Sequence, residues 1–212
     1  MTKPFTLYGR SGSGSLAVQV TLEELGAPYE RIWVSRDPAE VARFRQLNPT
    51  GKVPALVLPD GTLMFESAAM LVHLALLYPD AHLAPKAGTS RHALFLQWMT
   101  FLSANVYEAA LRIYYSDRYS SRASADSDAI RQKGVADFLA YLELVSRGLR
   151  PYVLGAEYSV ADVYLYMLAS WYPNGKEELH ERLPVLGMHA ALLSARPAMV
   201  KVEADHAQHA VN

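Results

Sequence analysis

Short apolar runs alternating with polar positions crowd the first third of the chain, and from about residue 90 onward the apolar residues recur every three to four positions. The first pattern is that of half-buried strands and the second that of helices. Phe5 to Tyr8 reads as a strand, and the polar loop Gly9-Arg10-Ser11-Gly12-Ser13-Gly14-Ser15 carries it into a helix of about a dozen residues. Val18, Leu22 and Leu25 mark the buried face of that helix, and Gly26 is its natural left-handed terminator. Tyr29 to Val34 alternates as a second strand, Pro38 to Gln46 reads as a short helix, and Ala55 to Leu58 and Leu63 to Phe65 form a hairpin around Pro59-Asp60-Gly61. The Ala-, Leu- and Met-rich segment Ala68 to Leu77 follows with helical spacing, and Ser67 is placed to cap it. The order β-α-β-α-β-β-α is the thioredoxin-like one.

Tyr78 to Ser90, with Pro79, Pro85 and Gly88, reads as a linker, so the expected domains are residues 1–78, a linker 79–89 and an all-helical domain 90–212. In the second domain, long helices are expected from Arg91 to about Tyr115 and, after a polar loop Ser116 to Ser127, on to about Leu149. Ser159-Val160-Ala161-Asp162 has the spacing of a capping box ahead of the apolar segment Val163 to Trp171 and is read as structural. Arg196-Pro197-Ala198 starts a last short helix.

Composition narrows the function. With 20 Lys and Arg against 21 Asp and Glu, there is no net field to steer nucleic acid or an anionic membrane. No apolar run approaches the roughly 20 residues of a membrane span. Met1-Thr2-Lys3-Pro4 runs into the first strand without a signal-peptide core, so a cytoplasmic location is expected. The absence of cysteine removes disulfides, thiolate metal sites and any protein thiol nucleophile. The seven histidines show no metal-ligand spacing, and His206 and His209 fall in a tail expected to be mobile, so no metal is expected.

The hairpin region carries the strongest chemical pattern. Val53-Pro54 places a proline where a strand begins and favours a cis bond; Glu66-Ser67 ends the second strand where a helix begins, whose first amides can hold an anion. Taken alone, a Val-Pro pair is loop punctuation and a Glu-Ser pair a helix cap. In this order and spacing the chain resembles the glutathione S-transferases over essentially its whole length. The resemblance implies a thioredoxin-like domain joined to an all-α domain. It implies that the Val53 backbone, next to Pro54, binds the cysteinyl part of glutathione, that Glu66 and Ser67 take the γ-glutamyl amine and carboxylate, and that Lys52 meets the glycyl carboxylate.

Conjugation needs a glutathione thiolate, whereas a free thiol ionises near pH ~8.5, so the enzyme must stabilise the anion by roughly 1 to 3 kcal/mol. The family uses a tyrosine ending the first strand, or a serine or cysteine before the first helix. Tyr8, Ser11 and Ser13 are the corresponding hydroxyls here, with Ser13 ranked first and Ser15 read as the helix cap. Aligning Gly26 with the glycine that ends this helix in relatives puts Gly14 at the beta-like cysteine and Gly12 at the theta- and zeta-like serine, so no subclass pattern carries over whole. The second substrate, a small hydrophobic electrophile, is expected between the hairpin domain and the first long helix, with Arg10, Asn105, Tyr107 and Tyr114 facing it. The family likeness also implies a homodimer. Two other readings stand beside a transferase: a glutathione-binding or interaction module with little catalysis, and a zeta-like isomerase using glutathione as cofactor.

Overall fold

The structure is a computed structural model and describes residues 3–210. Contacts divide it into two compact units, one running to Ala84 and resuming at Ser194, the other spanning Pro85–Leu193.

The first unit is thioredoxin-like. Strands β1 (Phe5–Gly9), β2 (Tyr29–Trp33), β3 (Ala55–Val57) and β4 (Leu63–Phe65) form one mixed sheet in the order β2-β1-β3-β4. The pair β1 and β2 is parallel, joined through helix α1 (Ser15–Glu24), because a parallel pair needs a crossover; β1 with β3 and β3 with β4 are antiparallel. Along β1, Phe5, Leu7 and Gly9 are buried on one face. By alternation Tyr8 lies on the other, where its ring packs on Phe44 of α2 (Pro38–Leu47) with centroids 5.7 Å apart. Asp37 starts α2 by accepting from the amides of Ala39 and Glu40, with Pro38 in the first turn. At the hairpin tip Asp60 accepts from the Thr62 amide at 2.8 Å and Gly61 takes φ 94°, the turn chemistry its sequence carries. Helix α3 (Ser67–Leu77) packs against α1.

The second unit is helical; among its described residues the sole β feature is an isolated bridge between Tyr152 and Gly155. Helix α4 (Ser90–Phe101) continues through a π-helical stretch, Leu102–Tyr107, into α5 (Glu108–Tyr114). Helix α6 (Ala123–Gly148) begins inside the segment expected to be a loop and packs on α5. The approach is close at Gly134, where a Cβ would stand 3.1 Å from the Ala109 carbonyl oxygen. Asp162, in the first turn of α7 (Val160–Ala169), accepts from the Ser159 amide at 2.9 Å in the expected capping box. It also takes the Val153 amide at 2.7 Å and lies 3.1 Å from His189 of α9 (Pro184–Ser194), which follows α8 (Lys176–Arg182).

One expectation about the tail is corrected. The last helix, α10 (Pro197–Gln208), packs on α1 of the first unit, so the chain after Ser194 does not belong with the helices expected over 90–212, and His206 is a buried residue of a docked helix. Amphipathic spacing locates a helix; it does not say which unit covers its apolar stripe.

Candidate functional site

Strand register brings the candidate residues of the first unit to one end of the sheet. Tyr8 pairs with Ile32 on one side and with Ala55 on the other, and Ala55 pairs with Phe65. The residues that adjoin this row are therefore neighbours: the loop after Gly9, the Val53-Pro54 pair directly before Ala55, and Glu66-Ser67 directly after Phe65. The Val53–Pro54 peptide is cis. Tyr8 and Val53 both pack against the cluster of Val34, Phe44 and Ala55.

Glycine and serine chemistry shape the loop after β1. A Cβ on Gly9 would fall 2.6 Å from the Ser15 side chain, so only glycine lets the strand pass this close to the start of α1. Ser15 is not the cap it resembles in sequence. Gly14 holds the cap position, and Ser15, 1% exposed, turns inward to accept from the Arg10 amide at 3.2 Å and donate to the Arg10 carbonyl at 3.1 Å. Ser13 donates to the same carbonyl at 2.7 Å and lies 2.9 Å from the Ser15 hydroxyl. Ser11 donates to the His206 main-chain carbonyl at 2.9 Å. Arg10, expected to face a second substrate, instead donates through Nε to the Val34 carbonyl at 3.0 Å and through its terminal nitrogen to that of Ser35 at 2.8 Å. A guanidinium held by two carbonyls of its own unit fixes the loop to the end of β2.

The approach to Val53 is organised by Asn48, fully buried and not singled out in the sequence. Its side-chain oxygen accepts from the Thr50 amide at 3.2 Å and the Thr50 hydroxyl at 3.0 Å, and its nitrogen donates to the Lys52 carbonyl at 2.8 Å. The Asn48-Pro49-Thr50-Gly51 run carries a turn signal from which this role could have been found. The loop leaves the Lys52 side chain exposed and tucks Pro54 into the interior.

Glu66 is exposed and takes φ 74°, ψ 102°, a conformation that side chains rarely adopt and that costs about 1 to 3 kcal/mol. It holds the cap position of α3; Ser67, buried, is the first helical residue and not the cap expected. Neither a capping side-chain bond nor a first-turn acidic residue meets the start of α3 among the described residues. Its amides and dipole favour an anion.

The remaining candidates lie in the helical unit. Asn105 and Tyr107 are on the π-helical stretch, a geometry that often marks functional positions. The Tyr107 ring meets Trp171 edge-on at 5.0 Å, and the Tyr114 hydroxyl donates to the Trp171 carbonyl at 2.7 Å, so Trp171 ties both tyrosines together. Burial raises the Tyr114 pKa, which keeps that hydroxyl a donor. Among the described residues no group of His, Asp and Glu side chains is arranged to hold a metal, and no helix is long and apolar enough to cross a membrane.

Comparison with known proteins adds an independent line. Residues 15–77 match the family model described as glutathione S-transferase, N-terminal domain. Among curated proteins, a GST-like protein, YncG, of Escherichia coli K12 is 30% identical over 79% of this chain and 82% of its own. Glutathione S-transferase GstA of Escherichia coli O157:H7 is 26% identical over 78% and 81%. Among solved structures, a glutathione transferase homolog from Sulfitobacter with bound glutathione superposes with a TM-score of 0.87 at 27% identity, covering 97% of this chain and 99% of that one.

Proposed function

The chain belongs to the glutathione S-transferase family, and from that premise we propose that it binds glutathione at the end of its sheet and conjugates the glutathione thiolate to a small hydrophobic electrophile. The observation that carries the proposal is the convergence of three segments on the row Tyr8, Ala55 and Phe65: the serine loop, the cis Val53–Pro54 pair and the Glu66-Ser67 turn. In this reading the Val53 backbone pairs with the cysteinyl residue, Glu66 takes the γ-glutamyl amine, Ser67 and the first amides of α3 take its carboxylate, and Lys52 meets the glycyl carboxylate. The strained backbone of Glu66 supports its role, since such strain is kept where geometry is needed.

Ser13 is the donor to the thiolate. Ser11 gives its proton to the His206 carbonyl and the Tyr8 ring is packed against Phe44, whereas the Arg10 carbonyl accepts from both Ser13 and Ser15 and keeps one partner when Ser13 turns to sulfur. The thiol proton leaves to solvent, the thiolate attacks the electrophilic carbon, a carbon–sulfur bond forms, and the leaving group departs with its electron pair. We read the protein as a cytoplasmic homodimer, a reading supported by the exposed Phe65, Leu76 and Leu77 of the first unit.

A second reading, a binding module with little catalysis, is favoured by one observation: both Ser11 and Ser13 are engaged with main-chain carbonyls. Retention on glutathione resin followed by turnover of a generic aryl halide tests the proposal. Retention with turnover supports a transferase, retention without it supports the module, and failure to be retained overturns both.

A further inference from the structure

Helix α10 is fastened to the first unit along its whole length and runs antiparallel to α1. At its start, Arg196 makes a bidentate pair with Glu24 at 2.6 and 2.8 Å, and Lys201 pairs with Glu23 at 2.8 Å. Toward its end, Asp205 pairs with Arg31 and accepts from the Gln19 amide at 2.7 Å. The last turn is held by aromatic contacts. Trp33 of β2 meets His206 edge-on at 5.1 Å and stacks on His209 at 4.5 Å, with the Arg31 guanidinium 3.8 Å over its ring.

The His206 ring is fixed in rotation and tautomer. Because the Gln19 amide nitrogen is committed to Asp205 and to the Tyr29 hydroxyl at 3.1 Å, its oxygen faces His206. His206 Nε2, 3.1 Å away, must then be the protonated nitrogen and the donor. At this anchored residue the main-chain carbonyl of His206 receives the Ser11 hydroxyl at 2.9 Å, a bond between positions 195 residues apart. The loop between Arg10 and Ser15 is therefore held at its base by Arg10 on the end of β2 and along its flank by the tail helix.

We propose that α10 is the positioning element of the serine loop: His206 and Ser11 are positioning residues that set the orientation of Ser13, without touching glutathione themselves. The link to sulfur chemistry rests on Ser13 being the thiolate donor, whereas the positioning does not. A helix that served only to cover α1 would have no need of a bond to the loop, and its loss would change stability alone.

The test uses the full chain with Ser11→Ala, Ser11→Thr and His206→Ala. Amide hydrogen exchange is measured without ligand, and the pH dependence of kcat with glutathione and an aryl halide alongside it. Ser11→Ala should raise exchange from Arg10 to Leu16 by about fivefold, the equivalent of one lost hydrogen bond, and His206→Ala, which keeps the main-chain carbonyl but loses the ring's contacts with Gln19 and Trp33, should raise it by a smaller factor, with β1 and β3 unchanged in both. Both should shift the pH profile of kcat upward with KM for glutathione held, and Ser11→Thr, which keeps the hydroxyl, should restore both readouts. Ser11→Ala guards against a His206 variant that fails to fold. Unchanged loop exchange in the Ser11→Ala protein overturns the proposal whatever the turnover. Faster exchange with an unmoved pH profile overturns its link to Ser13. A wild-type chain that neither binds nor turns over glutathione overturns the proposed function, and loop exchange still decides the positioning.

Discussion

The Ser13 hydroxyl lies 2.7 Å from the carbonyl oxygen of Arg10, an oxygen that Ser15 also reaches at 3.1 Å. Two donors on one acceptor make the Ser13 proton the exchangeable one of the loop, since its departure leaves the carbonyl still satisfied. Ser13→Ala is expected to move the pH profile of conjugation upward with glutathione affinity within about twofold of wild type, because a donor to an anion acts mainly on the charged form. Ser15→Ala should instead lower stability by about 1 to 2 kcal/mol, since it removes the Ser15 hydroxyl that the half-buried Arg10 amide donates to. A pH-rate profile and a urea titration of each variant separate these outcomes.

Glu66→Gly should move stability and binding in opposite directions. Glycine relieves the φ of 74° and is expected to stabilise the fold by about 1 kcal/mol. The same change deletes the carboxylate proposed for the γ-glutamyl amine, which should weaken glutathione about tenfold or more. Calorimetric titration beside a thermal melt reads both, and an unchanged affinity would return Glu66 to a purely structural role.

His206 makes stability fall with acid. Burial, then the nearby Arg31 cation, then His209, depress its pKa from 6.5 to about 4. The folded protein thus holds His206 neutral where the unfolded chain would bind a proton. The stability from this group is full above the unfolded value and declines as pH falls from 6.5 toward 4, by about 1.4 kcal/mol per pH unit and roughly 3 kcal/mol in all. Urea midpoints of wild type and His206→Phe at about pH 7 and about pH 4.5 test the sign: the acid loss should be smaller in the variant.

In the helical unit, the two oxygens of Asp162 face the Val153 amide, the Ser159 amide, the Ser159 hydroxyl and the His189 ring. An amide in its place would turn its own N–H groups on one pair of those partners. Asp162→Asn is therefore expected to lose about 3 kcal/mol or more, read by urea unfolding, and a loss below about 1 kcal/mol would contradict this account.

The sheet and its hairpin were legible because alternation and turn chemistry are local: Asp60 and Gly61 make the turn in sequence and in space alike. The cis bond expected at Val53-Pro54 and the strand end ahead of Glu66 were legible for the same reason, whereas the cap of α3 fell on Glu66 and not on Ser67. The serine loop was less so. Ser15 has the sequence position of a helix cap, yet the missing Cβ of Gly9, six residues away, lets it turn inward and become the loop's organiser. Arg10 reads in sequence as a contact for the second substrate because its acceptors, Val34 and Ser35, lie across a strand pairing. The tail was least legible: the contacts of His206 with Gln19 and Trp33 span more than 170 residues, and spacing within a helix carries no information about which surface will receive it.

Whether this chain binds glutathione and lowers the pKa of its thiol is decided by following the ultraviolet absorbance of the thiolate in the wild-type complex across pH. Bound glutathione should ionise at least about one pH unit below the ~8.5 of a free thiol, and Ser13→Ala should move the transition back toward that value. A saturable complex whose thiol ionises at the free value would contradict this lowering.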